Sequence, residues 1–166
     1  MVELDILKQV ITICDKHNIT YFAFGGTLLG AARHQGFIPW DDDIDILMLA
    51  EDYFKFINIA PKELDFPYSL HCHLEKEFGV NVARVRNSQT TGCTSWELDY
   101  ANFDEYNKGI FIDIFPLFYI PDNKKKWQKQ KKVLQKMRTI VTGYEISRRR
   151  KINKTKSLAK DLSYYR

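Results

Sequence analysis

The sequence predicts an α+β domain, a mixed β-sheet flanked by helices, followed by a basic helical extension. Three observations carry this. Segments with apolar residues at helical spacing alternate with short apolar runs of strand length. A glycine pair, Gly25-Gly26, stands between one such run and a short helical pattern, ahead of the alternating stretch Asp43-Ile44-Asp45-Ile46-Leu47. The charge then changes sign along the chain. Residues 1–123 hold 9 Lys+Arg against 19 Asp+Glu, whereas residues 124–166 hold 16 against 2. The net +4 of these 166 residues therefore combines an acidic body with a basic tail, and two parts are expected, 1–121 and 122–166.

Each element has its own signal. Leu4, Leu7, Val10, Ile11 and Cys14 recur at helical spacing, so residues 3–17 read as an amphipathic helix. Ile19 to Phe24 reads as a first strand, and Gly25-Gly26-Thr27 as a turn into a helix over 28–35, stopped by Gly36. Residues 51–60 read as a second amphipathic helix, with Tyr53, Phe54, Phe56 and Ile57 buried and Pro61 ending it. Strands are expected at Tyr68–His73, Val80–Arg86 and Gly109–Phe115, with Pro116 breaking the last. Residues 87–108 are polar and read as a long loop. Asp122 is the expected cap of a Lys-rich helix over 123–145, whose apolar positions Trp127, Val133, Leu134 and Met137 would pack on the body. The basic run Ser147–Lys156 reads as a solvated face or as an attractor of anionic headgroups or glycans.

Chemistry concentrates between Tyr21 and Met48. Side chains two apart on a strand share a face, so Asp43 and Asp45 project together while Ile44 and Ile46 enter a core. Adjacent carboxylates repel unless a cation neutralises them or one holds a proton. Magnesium suits a carboxylate pair that also meets substrate phosphates, with manganese an alternative. Glycines at a helix start let backbone amides approach an anion, which makes Gly25, Gly26 and Thr27 candidate phosphate ligands. Asp113, between Ile112 and Ile114, is a third carboxylate in an apolar run; it needs a cation or an ion pair, for example with Arg84. Arg33 suits a phosphate or a salt bridge to Asp41 or Asp42; Arg84 and Arg86 share a face and suit a phosphate or a neighbouring carboxylate. Trp40 suits packing, a base, or a quaternary ammonium. Asp41 and Asp42 read as supports of the Asp43/Asp45 pair. His71 and His73 share a face but lack a third metal ligand.

The order G-G-T, then R-H-x-G-F-I-P-W-D-D-D-I-D-I, together with G-I-F-I-D-I-F-P-L at 109–117, resembles the LicD family. Ala83-Arg84-Val85-Arg86, followed by Thr90-Thr91, is similar as well, and the resemblance covers about residues 3 to 121. It implies a nucleotidyltransferase-like fold whose pattern is met by Gly25-Gly26, Asp43-Ile44-Asp45-Ile46 and Ile112-Asp113-Ile114. It also implies metal-dependent transfer of phosphocholine, or a related alcohol phosphate, from CDP-choline or another CDP-alcohol to a hydroxyl of a cell-surface glycan or glycolipid, such as teichoic acid or lipopolysaccharide. Asp43, Asp45 and Asp113 would be the metal and catalytic residues. LicD-like chains usually continue past residue 166, so the resemblance implies a shortened gene product, a truncated chain or a short family member, and a missing C-terminal region would cost part of the acceptor site.

Other classes remain open. A nucleotidyltransferase moving NMP from an NTP would use the same carboxylates. An inactive fragment would bind donor and metal without turnover. A nucleic-acid binder is disfavoured by the acidic body and the absence of a recognition motif. Three cysteines without a C-x-x-C pair suggest a reducing, cytoplasmic compartment. No signal peptide or apolar run of about 18 residues is visible, so the expected location is cytoplasmic, with peripheral membrane contact at the inner face through the basic tail.

Overall fold

A computed structural model of the chain describes residues 2–72, 82–92, 107–136 and 139–140. Its first compact unit is a five-stranded mixed sheet with helices against it. Helix α1 spans Val2–His17 and buries Ile6, Val10, Ile13 and Cys14, the one-sided spacing of its sequence. Asn18, at φ 49°, ends it and turns the chain into β1, Tyr21–Ala23. Helix α2 spans Gly25–His34, β2 spans Asp45–Leu49, and α3 spans Ala50–Glu63 with Tyr53, Phe56, Ile57 and Ala60 buried. Strands β3, Tyr68–His71, β4, Ala83–Asn87, and β5, Ile110–Leu117, complete the sheet.

The strand order is β1-β2-β5-β4-β3, with β2 and β5 parallel and the other neighbours antiparallel. One face of the sheet carries Ile46, Met48, Val85, Ile112 and Ile114, all nearly sealed, and joins α1 and α3 in a single core. Glu63 fastens the two helices at the surface: Lys16 Nζ donates to it at 2.6 Å, and His17 Nε2 lies 3.2 Å from its other oxygen. Those two contacts hold the Glu63 carboxyl below the usual carboxylate range.

Several boundaries differ from expectation. Helix α2 starts at Gly25, so the glycines form its first turn rather than a turn before it. Helix α3 continues through Pro61 to Glu63. Strand β5 also continues through Pro116 to Leu117. Its β4 partner ends at the Ala83–Ile114 pairing, so the missing proline N–H has no ladder to break on that side. Asp43 precedes β2 rather than lying within it. Tyr119 onward belongs to a second compact unit, in which residues 124–136 are helical. Its cap is Asn123, not Asp122: Asn123 Oδ1 accepts from the N–H groups of Lys125 and Lys126 at 3.0 and 3.1 Å. His73, Val80, Cys93, the loop from residue 93 to 106 and the run Ser147–Lys156 lie outside the described residues.

Candidate active site

The in-register pairing of three strands builds the site. Asp45 of β2 stands opposite Asp113 of β5, and Asp113 stands opposite Arg84 of β4. Residues paired across strands share a face, so Asp45, Asp113 and Arg84 form one row on the side away from the α1/α3 core. Arg84 Nε donates to Asp113 Oδ1 at 2.6 Å and Nη2 to Oδ2 at 3.3 Å, a two-pronged ion pair. Of the two readings of Asp113 from the sequence, the ion pair with Arg84 is present, and the same carboxylate stands beside Asp45.

The start of α2 closes in on this row. Gly25 has φ 55°, a left-handed conformation, and a Cβ there would come within 2.8 Å of Asp45 Oδ2. A Cβ on Gly26 would collide with the Asp41 carboxylate. The glycines therefore make room for two carboxylates at the helix N-terminus, a position that favours negative charge. Thr27 ties the parts together: its hydroxyl oxygen accepts the backbone N–H of Asp45 at 2.9 Å. Phe24 N–H donates to Asp45 O at 3.0 Å. Asp41 is the residue least legible in the sequence here; its contact with Gly26 spans fifteen positions and a helix start.

Charge in this corner is unbalanced. Partial burial raises the Asp45 pKa to about 6, with Asp43, Asp113 and Asp41 adding repulsion. Asp43 is raised by burial of its carboxyl and then by Asp41, Asp42 and Asp113. Asp43 is exposed and Ile44 buried, so the alternation continues upstream of β2 and leaves Asp43 and Asp45 on one side. Among the described residues, no three His, Cys, Asp or Glu side chains converge to hold an ion by themselves. Magnesium tolerates this: it takes one or two carboxylates and completes its shell with water and substrate phosphates. Hard oxygen donors with raised pKa values beside a glycine-cleared helix start fit such an ion.

The remaining candidates are distributed differently. Arg86 is fully buried, donates Nη1–H to Gly109 O at 2.8 Å and lies over the Phe111 ring at 4.4 Å. These partners are interior groups. Arg33 is exposed, donates Nε–H to His34 Nδ1 at 3.2 Å, and has no ion pair with Asp41 or Asp42 among the described residues. Trp40 is 77% exposed and meets His34 edge-on at 6.0 Å. His71 pairs with Ser69, 3.1 Å from Nε2 to the hydroxyl. One contact was not anticipated: Phe24 and Phe115 pack at 5.4 Å between ring centroids.

The LicD/FKTN/FKRP nucleotidyltransferase domain profile matches residues 18–145, a span that contains α2, the carboxylate row and all the strands. The chain belongs to the LicD family. It is 30% identical over 125 residues to the lipopolysaccharide cholinephosphotransferase LicD of Haemophilus influenzae, covering 75% of this chain and 45% of that protein. It is 43% identical over 65 residues to an uncharacterized Rickettsia typhi protein, covering 39% of this chain and 21% of that one. It is 42% identical over 45 residues to the human ribitol 5-phosphate transferase FKRP, covering 27% of this chain and 9% of that protein. The chain thus spans less than half the length of these LicD relatives. No helix among its described residues is long and apolar enough to cross a membrane.

Proposed function

We propose that this LicD chain carries the nucleotidyltransferase-like domain of a transferase that moves an alcohol phosphate from a CDP-alcohol to a hydroxyl of a cell-surface glycan. Phosphocholine is the first choice of group, and a lipopolysaccharide or teichoic acid hydroxyl the first choice of acceptor. The observation that carries this is the row Asp45–Asp113–Arg84 beside the start of α2, with Asp43 on the same side. The names of the relatives in Haemophilus and human, both transferases of an alcohol phosphate, support the same reaction class.

In this reading Asp43 and Asp45 hold Mg2+, or Mn2+ in its place, and Asp113 is the third carboxylate. The ion, when bound, offsets charge on the donor phosphates. Arg84 fixes the orientation of Asp113 through its two-pronged contact. The first turn of α2, at Gly25, Gly26 and Thr27, offers backbone N–H groups to phosphate oxygens. Arg33, exposed at the end of the same helix, adds a guanidinium, and the open Trp40 ring offers a face to a base or an ammonium group. The acceptor oxygen forms a bond to the phosphorus next to the alcohol, the bond from that phosphorus to CMP breaks, and the hydroxyl proton passes to the carboxylate cluster. Positioning and charge neutralisation supply the rate, without a covalent nucleophile. Arg86, sealed inside, serves the scaffold. The acceptor would be met at the cytoplasmic face of a membrane.

Isothermal titration with CDP-choline, with and without magnesium, tests the reading in wild type and Asp43→Ala. Magnesium-dependent binding that the variant loses is the expected result. Binding of CTP in place of CDP-choline, with pyrophosphate as product, would replace it with nucleotidyl transfer. Absence of any nucleotide binding would overturn both.

A further inference from the structure

The helix at 124–136 does not use all of its apolar surface. At about 100° per residue, Trp127, Val133, Leu134 and Ile140 fall within one arc of roughly 140°. Thr139 and Ile140 are helical as well, and Thr139 Oγ1 donates to Gln135 O at 3.0 Å. Lys124, Lys125, Lys131, Lys132 and Lys136 occupy the other side, Lys129 borders the arc, Lys126 falls within it, and no acidic residue occurs between 123 and 144. Val133, Leu134 and Ile140 are 50%, 52% and 62% exposed. The segment just ahead extends this surface. Gln130, within the apolar arc, donates Nε2–H to Tyr119 O at 3.3 Å, and Tyr119 and Ile120 are 74% and 63% exposed.

We propose that the Val133/Leu134/Ile140 side of this helix, with Tyr119 and Ile120, docks on an anionic phospholipid surface. This deepens the proposed function, on whose membrane-borne acceptor it rests, by assigning the contact to one surface. A basic helix with an apolar stripe lies in the headgroup plane, its stripe in the acyl boundary. Its lysines reach anionic headgroups from the flanks while their stems lie over apolar groups. Charge complementarity alone would also suit a nucleic acid or an acidic glycan. Those partners have no use for exposed valine, leucine and isoleucine beside the lysines, whereas a lipid interface does.

Vesicle flotation is the test, with phosphatidylcholine alone and with added phosphatidylglycerol, on wild type and two variants. Wild type is expected to float with the anionic vesicles only. Lys125→Glu/Lys132→Glu/Lys136→Glu should weaken binding about a hundredfold. Val133→Ser/Leu134→Ser should weaken it about tenfold while keeping every lysine. These positions are already exposed, and unchanged helicity by circular dichroism verifies that both variants fold. Failure of wild type to float overturns the proposal. So does flotation of the serine variant equal to wild type, which would make the contact one of charge alone and open to any polyanion. CDP-choline binding is read separately on the same samples. Its absence counts against the transferase reading and leaves the flotation result standing.

Discussion

Strands β2 and β4 flank β5 and treat charge in opposite ways. On β4, Arg84 and Arg86 are buried, and each is met by protein groups: Arg84 by Asp113, Arg86 by Gly109 O and the Phe111 ring. On the β2 side, Asp45 and Asp43 have mainly like-charged neighbours, and their pKa values rise. Removing a buried charge's partner is expensive, so the contacts on β4 hold both guanidinium groups in place. Charge that the fold leaves unmatched is where the proposed donor and its ion would sit. Asp113 stands at the join, matched on one side and crowded on the other.

The comparison can be broken most sharply by removing one charge from each side. Asp45→Ala should lower transfer about a thousandfold and abolish magnesium-dependent donor binding, with a melting temperature no lower than wild type without metal. A clear loss of metal-free stability would show that Asp45 belongs to the scaffold after all. Arg86→Met should do the reverse. It leaves Gly109 O short of a buried donor, costs about 2–3 kcal/mol, and leaves donor affinity of the folded fraction unchanged. Denaturant melts and titration at low temperature separate the two effects.

Acidity sharpens it next. Asp45 binds its proton more tightly folded than unfolded, so the stability it contributes is full below its unfolded pKa. That contribution is lost as pH rises through about 6. Metal-free protein is therefore expected to melt at higher temperature near the acid end of this window than above it, and magnesium should help most above it. Glu63 has the opposite sign: its lowered pKa gives stability that is present above the unfolded value and lost as pH falls through the folded one. Glu63→Gln should flatten the acid limb alone. A metal-free melting temperature that does not respond to pH across this window in wild type would remove Asp45 from the crowded set.

Smaller effects follow from the helix start and its far end. Gly25→Ala must hold a side chain at φ 55° with its Cβ 2.8 Å from Asp45 Oδ2, so about 1 kcal/mol of stability and about tenfold in donor affinity should go. Affinity equal to wild type would mean that Asp45 shifts without consequence. Arg33→Ala, which breaks only the contact with His34, should weaken donor binding about threefold and leave stability unchanged; unaltered affinity would take Arg33 out of the site.

Local pattern alone located much of this. The period of α1 and α3 marked part of their buried faces: Val10, Cys14, Tyr53, Phe56 and Ile57 are buried as expected, whereas Phe54 is exposed and the sealed Ile6 and Ile13 of α1 were not singled out. The alternation Asp43-Ile44-Asp45-Ile46 placed two carboxylates on one side, because side-chain direction on an extended chain is set by neighbours two residues away. Motif order was enough to imply the family to which the chain belongs.

What depends on pairing between distant segments was not legible. The parallel register of β2 with β5 brings Asp45 beside Asp113, sixty-eight positions later, and the antiparallel register of β4 brings Arg84 to the same carboxylate. Arg84 and Arg86 read alike in the sequence, two residues apart on one strand face. Only their partners separate them: one meets a carboxylate at the edge of the site, the other a backbone carbonyl in the interior. The sequence offered the glycines as a phosphate turn; the folded chain adds that they also clear space for the Asp41 and Asp45 carboxylates. Residue type determined which groups could carry charge; the tertiary structure decided which charges are matched, because matching depends on distances that the chain sets only when it folds.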